Sequence, residues 1–348
     1  MKERMLIGLS GGVDSAVSAA LLVEAGHEVV GVYLRAWDDA IAPFMKGFCP
    51  WEEDIADARR IAAQLKIPFA VIDVREAYRK RVVDVLEAEY AAGRTPNPDI
   101  LCNREMKFGL LLELAKDQGF DAVATGHYAQ IKSVDGELQL HRAADEHKDQ
   151  TYFLWTLTNE QLPFIRFPIG HLHKDEVRAE AERRGIVVAA KPDSQGVCFL
   201  GPVSLRSYLK ERLQTKPGEI ILEDGTVIGT HEGIELYTIG QRHGLTFSGQ
   251  FTGPYFVSER RQKTNQLVVS EKPPVDEVLC IEQCSWLAEP TEFQKIQARI
   301  RHGQQPQSAV ALLPYGLIDF DSPQTAVASG QSVVCSDGTR ILGGGIIV

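Results

Sequence analysis

The chain has 348 residues, 44% apolar and 24% charged, with a formal net charge of -10. That length predicts two or three domains, and no apolar run approaches the ~20 residues needed to span a bilayer. Residues 1–4 lead straight into a strand, so no signal or transit peptide is expected and the predicted compartment is the cytoplasm. Six cysteines without a secretion signal speak against a disulfide framework and for thiols with catalytic or metal-binding work. The acidic balance alone argues against nucleic acid. Local basic clusters leave that question open: Arg75, Arg79, Lys80 and Arg81; Arg178, Arg183, Arg184 and Lys191; Arg260, Arg261 and Lys263.

The apolar run Met5–Leu9 precedes Ser10-Gly11-Gly12-Val13-Asp14-Ser15 and then Ala16–Leu22, which reads as strand, small-residue loop and helix, with Gly26 as the stop. Glycines let the backbone approach an anion, while Ser10, Ser15 and the free amides of the helix start donate hydrogen bonds to phosphate oxygens. The helix dipole adds to the attraction. No lysine follows the glycines, so this is not a Walker loop. It resembles the PP-loop of the N-type ATP pyrophosphatases, which cleave ATP between its α and β phosphates and place AMP on a substrate oxygen. That resemblance implies that Asp14 helps to hold magnesium.

Further along, Glu28–Leu34 reads as a strand, 37–50 as an irregular passage holding Cys49, and 51–66 as a helix with Ile55, Ala58, Ile61, Ala62 and Leu65 on one face. Phe69–Val74 is a third strand and 77–92 a helix ending at Gly93. The short strand Asp121–Thr125 delivers Gly126, His127 and Tyr128. This rhythm predicts an α/β domain, a Rossmann-like parallel sheet whose ligands sit at the carboxyl ends of its strands. A charged helix is expected over 174–184, and Lys191–Leu200 closes the first domain. Frequent glycines between short strands then predict a small β-rich central domain. Lys272-Pro273-Pro274 is the next boundary, and strands at 278–281, 296–300, 309–313 and 332–335 suggest a C-terminal β-barrel. The expected division is 1–204, 205–272 and 273–348.

Two cysteines stand out. In Thr95-Pro96-Asn97-Pro98-Asp99-Ile100-Leu101-Cys102, two prolines exclude helix up to about Asp99, so Cys102 is expected at or near a helix start. There the dipole, with Arg104 and Lys107 close in sequence, favours thiolate. Asp99 could exchange a proton with a reacting group. Cys198 follows Asp193-Ser194-Gln195-Gly196-Val197, and its apolar flanks by themselves favour an inert buried thiol over a reactive one. Cys280, Cys284 and Cys335 fall in strands, where core packing is expected, and the first two have poor zinc spacing. No metal site is expected from spacing.

With these residues in view the whole chain resembles the tRNA-specific 2-thiouridylases of the MnmA type. The motifs that carry the resemblance are the Ser10–Ser15 loop, Gly93–Asn103, Thr125–Tyr128, Lys148–Gln150, Asp193–Phe199, Tyr237–Arg242 and Leu342–Ile347. The resemblance implies an ATP site formed by Gly8, Leu9, Ser10, Gly11, Gly12, Val13, Asp14 and Ser15, with Leu34 and Gly126 lining the adenosine. It implies that Asn97, Pro98 and Asp99 receive a flipped-out wobble uridine of tRNA. His127, Lys148, Asp149 and Gln150 would touch tRNA from the first domain, and Arg301, His302 and Gln331 from the barrel. In the implied chemistry the uridine carbon-2 oxygen is adenylated. A persulfide on Cys198 then attacks carbon 2, and Cys102 frees the sulfur by forming a disulfide with Cys198, while Asp99 acts as acid or base.

The implied partners are tRNA and a sulfur-donor protein, either a cysteine desulfurase or a sulfur relay protein. The implied cofactors are ATP and Mg2+. A variant of the chemistry has Cys102 and Cys198, with Asp99 or Cys49, hold an iron–sulfur cluster (4Fe-4S) that carries the sulfide. Two further readings stay open: a PP-loop synthetase or ligase with another substrate, for which paired cysteines are superfluous, and a sulfur carrier, for which the ATP loop is superfluous. The compact stretch 249–255 predicts a small central domain, and His302 stands where the family pattern has an aromatic residue.

Overall fold

The structure, a computed structural model, describes residues 2–36, 50–193, 204–249, 251, 253–312 and 315–348. Cys49 and Cys198 lie outside them. Strand β1 (Arg4–Gly8) runs into helix α1 (Val13–Glu24), followed by β2 (Glu28–Arg35), α2 (Pro50–Leu65) and β3 (Phe69–Asp73). Alanines and valines leave α1 little polar surface, and eight of its residues are buried where it packs against α2. The next helical run is α3 (Arg75–Tyr78), a wider π-type stretch at Arg79–Val83, and α4 (Asp84–Ala91), after which Gly93 takes φ +79°. A second run joins α5 (Pro98–Cys102), a π-type stretch at Asn103–Leu110 and α6 (Leu111–Asp117). Strand β4 (Ala122–Ala124), the hairpin β5 (Ala129–Val134) and β6 (Glu137–Arg142), β7 (Ile165–Arg166) and α7 (Lys174–Arg183) complete the first domain.

The sheet is parallel throughout, in the order β3-β2-β1-β4-β7. Gly8 lies opposite Val32, and Ile7 lies opposite Ala124. The loop after β1, the end of β2 with Leu34, and Thr125–Gly126 therefore share the carboxyl rim, as expected for this fold class.

The central domain opens with α8 (Leu205–Arg212). Its sheet consists of β8 (Gly218–Ile221), β9 (Val227–His231), β10 (Thr246–Phe247), β11 (Phe256–Arg261) and β12 (Gln266–Ser270), in the order β10-β9-β8-β12-β11. So small a unit buries too little by itself. One apolar cluster runs from Tyr78, Val82, Leu86 and Tyr90 of the first domain into Tyr208, Ile220, Val257 and Leu267, so the central core is shared.

The third domain is a barrel of six strands: β13 (Val275–Trp286), β14 (Gln294–Arg299), β15 (Gln307–Leu312), β16 (Leu317–Thr325), β17 (Ser332–Asp337) and β18 (Arg340–Ile347). They follow the order β13-β16-β15-β14-β17-β18, and β18 pairs back to β13 to close the ring. The β5–β6 hairpin joins the outside of this barrel through Arg340 opposite His141. Buried Tyr152 binds it further, its hydroxyl donating to the carbonyls of Ile300 and Ser332 at 3.0 Å each. Cys335 is buried in the barrel, as expected, and burial pushes its thiol well up. Cys280 and Cys284 are exposed instead: Cys280 occupies an outward position of β13, and Cys284 lies where an irregularity between Glu282 and Ser285 breaks the strand's alternation. No helix among the described residues is long and apolar enough to cross a membrane.

Candidate active site on the carboxyl rim

The loop from Gly8 to Ser15 has the form its composition demands. Gly11 takes φ +77°, and a Cβ there would lie 2.6 Å from the Asp54 carbonyl oxygen, so only glycine lets α2 sit against the loop. Gly12 is the N-cap of α1 and no side chain caps the first turn, which leaves those amides for an incoming anion. The starts of α5 and α8 are closed by Asn97 and Ser204 respectively. Ser10 is exposed at the mouth. Ser15 turns inward, its hydroxyl donating to the Gly12 carbonyl at 3.0 Å and accepting from the Ser10 amide at 3.3 Å. In this conformation Ser15 braces the loop, and Ser10 and the amides form its open face.

Gly126 closes one wall: a Cβ there would lie 2.7 Å from the Ser15 nitrogen and 2.8 Å from the Asp14 carbonyl carbon. Tyr128, two residues on, donates its hydroxyl to Asp14 at 2.8 Å; burial, then the Asp14 charge, push that phenol far up, so it remains a donor. Asp14 also receives the Lys174 ammonium at 2.7 and 2.9 Å. Lys174 reaches Asp193 at 2.8 Å, and Asp193 binds Lys148 at 2.9 Å and Arg178 at 2.8 Å. Burial alone would raise the Asp193 carboxyl, but the hydrogen bonds from Lys174 and Lys148 hold it down at about 2. A charged relay therefore links the phosphate loop to the residue from which Ser194–Cys198 departs. Sequence reasoning missed Lys174 and Tyr128: both lie more than a hundred residues from Asp14, and no local pattern connects them.

Asp14 offers hard carboxylate oxygens at the loop mouth, the donor type magnesium takes. Magnesium is ordinarily held by one or two carboxylates plus substrate phosphates, so the residues fit it. Among the described residues no group of three or more His, Cys, Asp or Glu side chains forms a metal site. Of the cluster ligands expected from sequence, Cys102 and Asp99 are described, and Cys49 and Cys198 fall outside.

The second half of the site is built on Gly93–Cys102. Two prolines do not exclude helix as far as expected: Pro98 occupies the first helical position, where no backbone N–H is required, and Asn97 caps it, accepting from the Asp99 and Ile100 amides at 3.0 and 3.2 Å. Cys102 is thereby the fifth helical residue, past the first turn where the dipole acts most strongly. It is 7% exposed, within the apolar cluster that includes Trp51 and Met106. Arg104 pairs with Glu105 at 2.8 Å. Asp99 and Asn97 are half-buried, on the segment that bridges all three domains. The Thr95 amide donates to the Ser329 carbonyl at 2.8 Å, Gln331 donates to the Thr95 carbonyl, and the Thr95 and Thr238 hydroxyls lie 3.3 Å apart.

The two halves meet through His127. Its Nε2 is 3.5 Å from the Lys107 ammonium, one turn or so beyond Cys102, and its Nδ1 is 2.6 Å from the Thr125 hydroxyl. Burial, then Lys107, push the imidazole well below its ordinary value, so it is neutral, accepting from Lys107 and donating to Thr125. Phe108 and Phe167 pack around it, ring centroids at 5.6 and 5.9 Å. His127 is 7% exposed, and its ring is a buried spacer between rim and helix. Asp149 is buried likewise. At 2% exposure its carboxylate accepts from Arg299 at 2.8 Å, the Ala143 amide at 3.1 Å and the Thr151 hydroxyl, so it is a seam between domain and barrel. Gln150 accepts from the Tyr128 amide at 2.9 Å.

Of the expected barrel residues, Arg301 and His302 are exposed. Arg301 donates to the carbonyls of Thr325 and Ala326, and His302 lies 3.0 Å from the Asp149 carbonyl, so the 148–150 and 301–302 segments do meet. The His302 ring stacks on Phe153 at 4.5 Å, filling the aromatic place its position calls for.

Residues 3–202 match the family described as tRNA methyl transferase HUP domain, 206–271 the tRNA methyl transferase PRC-barrel domain, and 276–347 the aminomethyltransferase beta-barrel domain. Relatives named tRNA-specific 2-thiouridylase MnmA from Streptococcus sanguinis and from Halalkalibacterium halodurans are each 42% identical, across 99% of this chain and 95% of the relative. Among solved structures, a 4-thiouridine synthetase–RNA complex with bound ATP aligns at TM-score 0.37 with 18% identity, over 61% of this chain and 50% of that one. NMN synthetase from Francisella tularensis aligns at TM-score 0.35 with 17% identity, over 61% and 77%. Sharing two residues in five with such relatives along nearly its whole length, the chain belongs to the family of tRNA-specific 2-thiouridylases of the MnmA type, which are tRNA sulfurtransferases.

Proposed function

We propose that the chain replaces the carbon-2 oxygen of the wobble uridine of tRNA with sulfur, using ATP, in the cytoplasm. The observation that carries the reading is the physical continuity of three parts: the uncapped loop Gly8–Ser15, the Gly126–Tyr128 wall against it, and, through His127 and Lys107, the helix bearing Asp99 and Cys102.

The phosphate loop binds ATP, with Leu34 and Gly126 beside the adenosine. Asp14 is the residue placed to hold Mg2+, which when bound would offset charge on the phosphates. Asn97, Pro98 and Asp99 take the extruded base, whose unstacking costs a few kcal/mol that pocket and backbone contacts must offset. Lys148, Gln150, Arg301, His302 and Gln331 contribute on the tRNA side. The uridine oxygen attacks the α-phosphorus and pyrophosphate leaves, which turns a poor leaving group into AMP. The terminal sulfur of a Cys198 persulfide attacks carbon 2 and expels AMP. Cys102 thiolate then attacks Sγ of Cys198, forming a Cys102–Cys198 disulfide and leaving sulfur on the base; an external dithiol restores both thiols. Asp99 manages the proton at the base. The persulfide is loaded by a cysteine desulfurase or sulfur relay protein.

The test supplies ATP, a sulfur source and unmodified tRNA, and analyses nucleosides for 2-thiouridine. Cys102→Ser and Cys198→Ser should each abolish the product, while Cys198→Ser still releases pyrophosphate on adding tRNA. Full thiolation by either variant overturns the cysteine roles, and absence of 2-thiouridine with the intact protein overturns the function.

A further inference from the structure

A concavity of about 730 Å³ lies where the three domains meet. Ala92 and Gly93 follow α4 along one side, residues 258–264 of the β11–β12 hairpin form another, and Ser329 of the barrel closes it. The hairpin carries the basic group Arg260, Arg261 and Lys263, whose meaning composition alone left open. Arg260 holds the hairpin in place, donating to the carbonyls of Gly93 and Tyr237. The Gln262 side chain lies over Gly93, its amide nitrogen 2.0 Å from where a Cβ would stand.

The other two cations remain available. Among the described residues the one ion-pair partner of Arg261 is Glu259, at 3.1 Å, in a pair that is 39% and 54% exposed. Such an exposed pair is worth little and yields to a phosphate, which takes two parallel bonds from one guanidinium. Lys263 has no ion-pair partner among the described residues. In a chain of net charge -10, a pocket lined by three cations and one carboxylate is a local reversal of sign.

Its place in the chain limits how far it lies from the base site. Gly93 is four residues before Asn97, so the two are at most about 14 Å apart even in fully extended chain. Ser329, a pocket residue, takes the Thr95 amide bond between them at 2.8 Å. A stacked strand advances about 3.4 Å per nucleotide. The pocket therefore lies within a few nucleotides of a base held at Asn97–Asp99.

The geometry points to a second RNA contact: the pocket binds backbone phosphates flanking the target nucleotide, with Arg261 and Lys263 as direct partners and Arg260 as the positioning residue. This rests on the reading that tRNA is the substrate. It assigns the β11–β12 hairpin of the central domain to RNA backbone recognition.

The test measures binding of unmodified tRNA by the full-length chain and by Arg261→Gln/Lys263→Gln across a salt series. Each phosphate contact contributes about 0.7–0.9 to the slope of log K against log salt. The double variant should therefore lose about 1.4–1.8 of slope and bind at least tenfold more weakly at low salt. An unchanged slope and affinity with normal binding by the parent chain overturns the pocket assignment alone; a parent chain that binds no tRNA overturns the function as well. If thermal melting shows the double variant unfolded, Lys263→Gln at the exposed turn takes its place, with an expected slope loss of about 0.7–0.9 and the same criterion of refutation. Inorganic phosphate is titrated as a competitor: displacement of tRNA only through its ionic strength supports an RNA site, whereas saturable displacement at low concentration marks a simple anion site and overturns the proposal.

Discussion

Replacing Asp149 by alanine tests how the barrel is held to the catalytic domain. The Asp149 carboxylate is 1% exposed and the Arg299 guanidinium 5%, at 2.8 Å, with a second guanidinium, Arg142, at 3.6 Å. One anion thus serves two cations in a place water does not reach. Removing one partner of such a pair leaves an uncompensated buried charge, a loss of about 3–5 kcal/mol. The second arginine and the orphaned Ala143 amide put Asp149→Ala at the upper end. With ~2–4 °C per kcal/mol for units of this size, the melting temperature should fall by roughly 10 °C or more. The assay is thermal unfolding of Asp149→Ala against the parent chain, with Asp149→Leu/Arg299→Met as the control. The control should recover part of the loss, since apolar replacement of both partners of the Asp149–Arg299 pair is close to neutral, while the Arg142 guanidinium still lacks its carboxylate. A fall of less than about 2 °C in Asp149→Ala, roughly 1 kcal/mol, would refute the account of the seam.

Three further outcomes are expected. Gly126→Ala pushes a methyl group into the backbone at Ser15 and Asp14, a strain of about 1–3 kcal/mol, and calorimetry should show weaker ATP binding with little change in fold; unchanged affinity would mean that the wall is not part of the nucleotide site. Lys174→Met leaves the Asp14 carboxylate without its ammonium partner beside an incoming polyphosphate, while Asp193 keeps Lys148 and Arg178, so the Kd for ATP should rise on the order of tenfold, about 1.4 kcal/mol, and equal affinities would remove Lys174 from the site. Asp193 has its folded value lowered to about 2, so its stabilising contribution is present above its ordinary value near pH 4 and is lost as pH falls towards 2. Acid unfolding of Asp193→Asn should accordingly be shallower across that window than that of the parent chain, and superimposable curves would contradict the relay.

Much of the architecture was legible in local pattern. The strand–glycine–helix turn at Gly8–Ser15, the rhythm of the parallel sheet, the stop at Gly26 and the helix from Lys174 each depend on residues within one or two turns of each other, where period and capping act. The barrel was legible only in outline. Leu317–Thr325 and Arg340–Ile347 were not anticipated as strands, since the first contains a proline and the second three glycines, of which Gly343 and Gly344 sit where a Cβ would meet neighbouring backbone. Nor did any pattern announce the hairpin 129–142, whose partner strand lies two hundred residues away.

The sequence by itself determined local parts: a strand–glycine–helix loop on the carboxyl rim of a parallel sheet, and a proline-framed helix with its cysteine. Tertiary structure alone decided how they are joined. It placed Lys174 and Tyr128 on Asp14, buried His127 as a neutral spacer, withdrew Asp149 into a seam with Arg299, and set Cys102 one turn deeper than the prolines suggested. The physical reason is range. Helix periodicity, glycine turns and caps act over a few residues and are written in local order, whereas burial and charge pairing depend on which distant segments the packed core brings together.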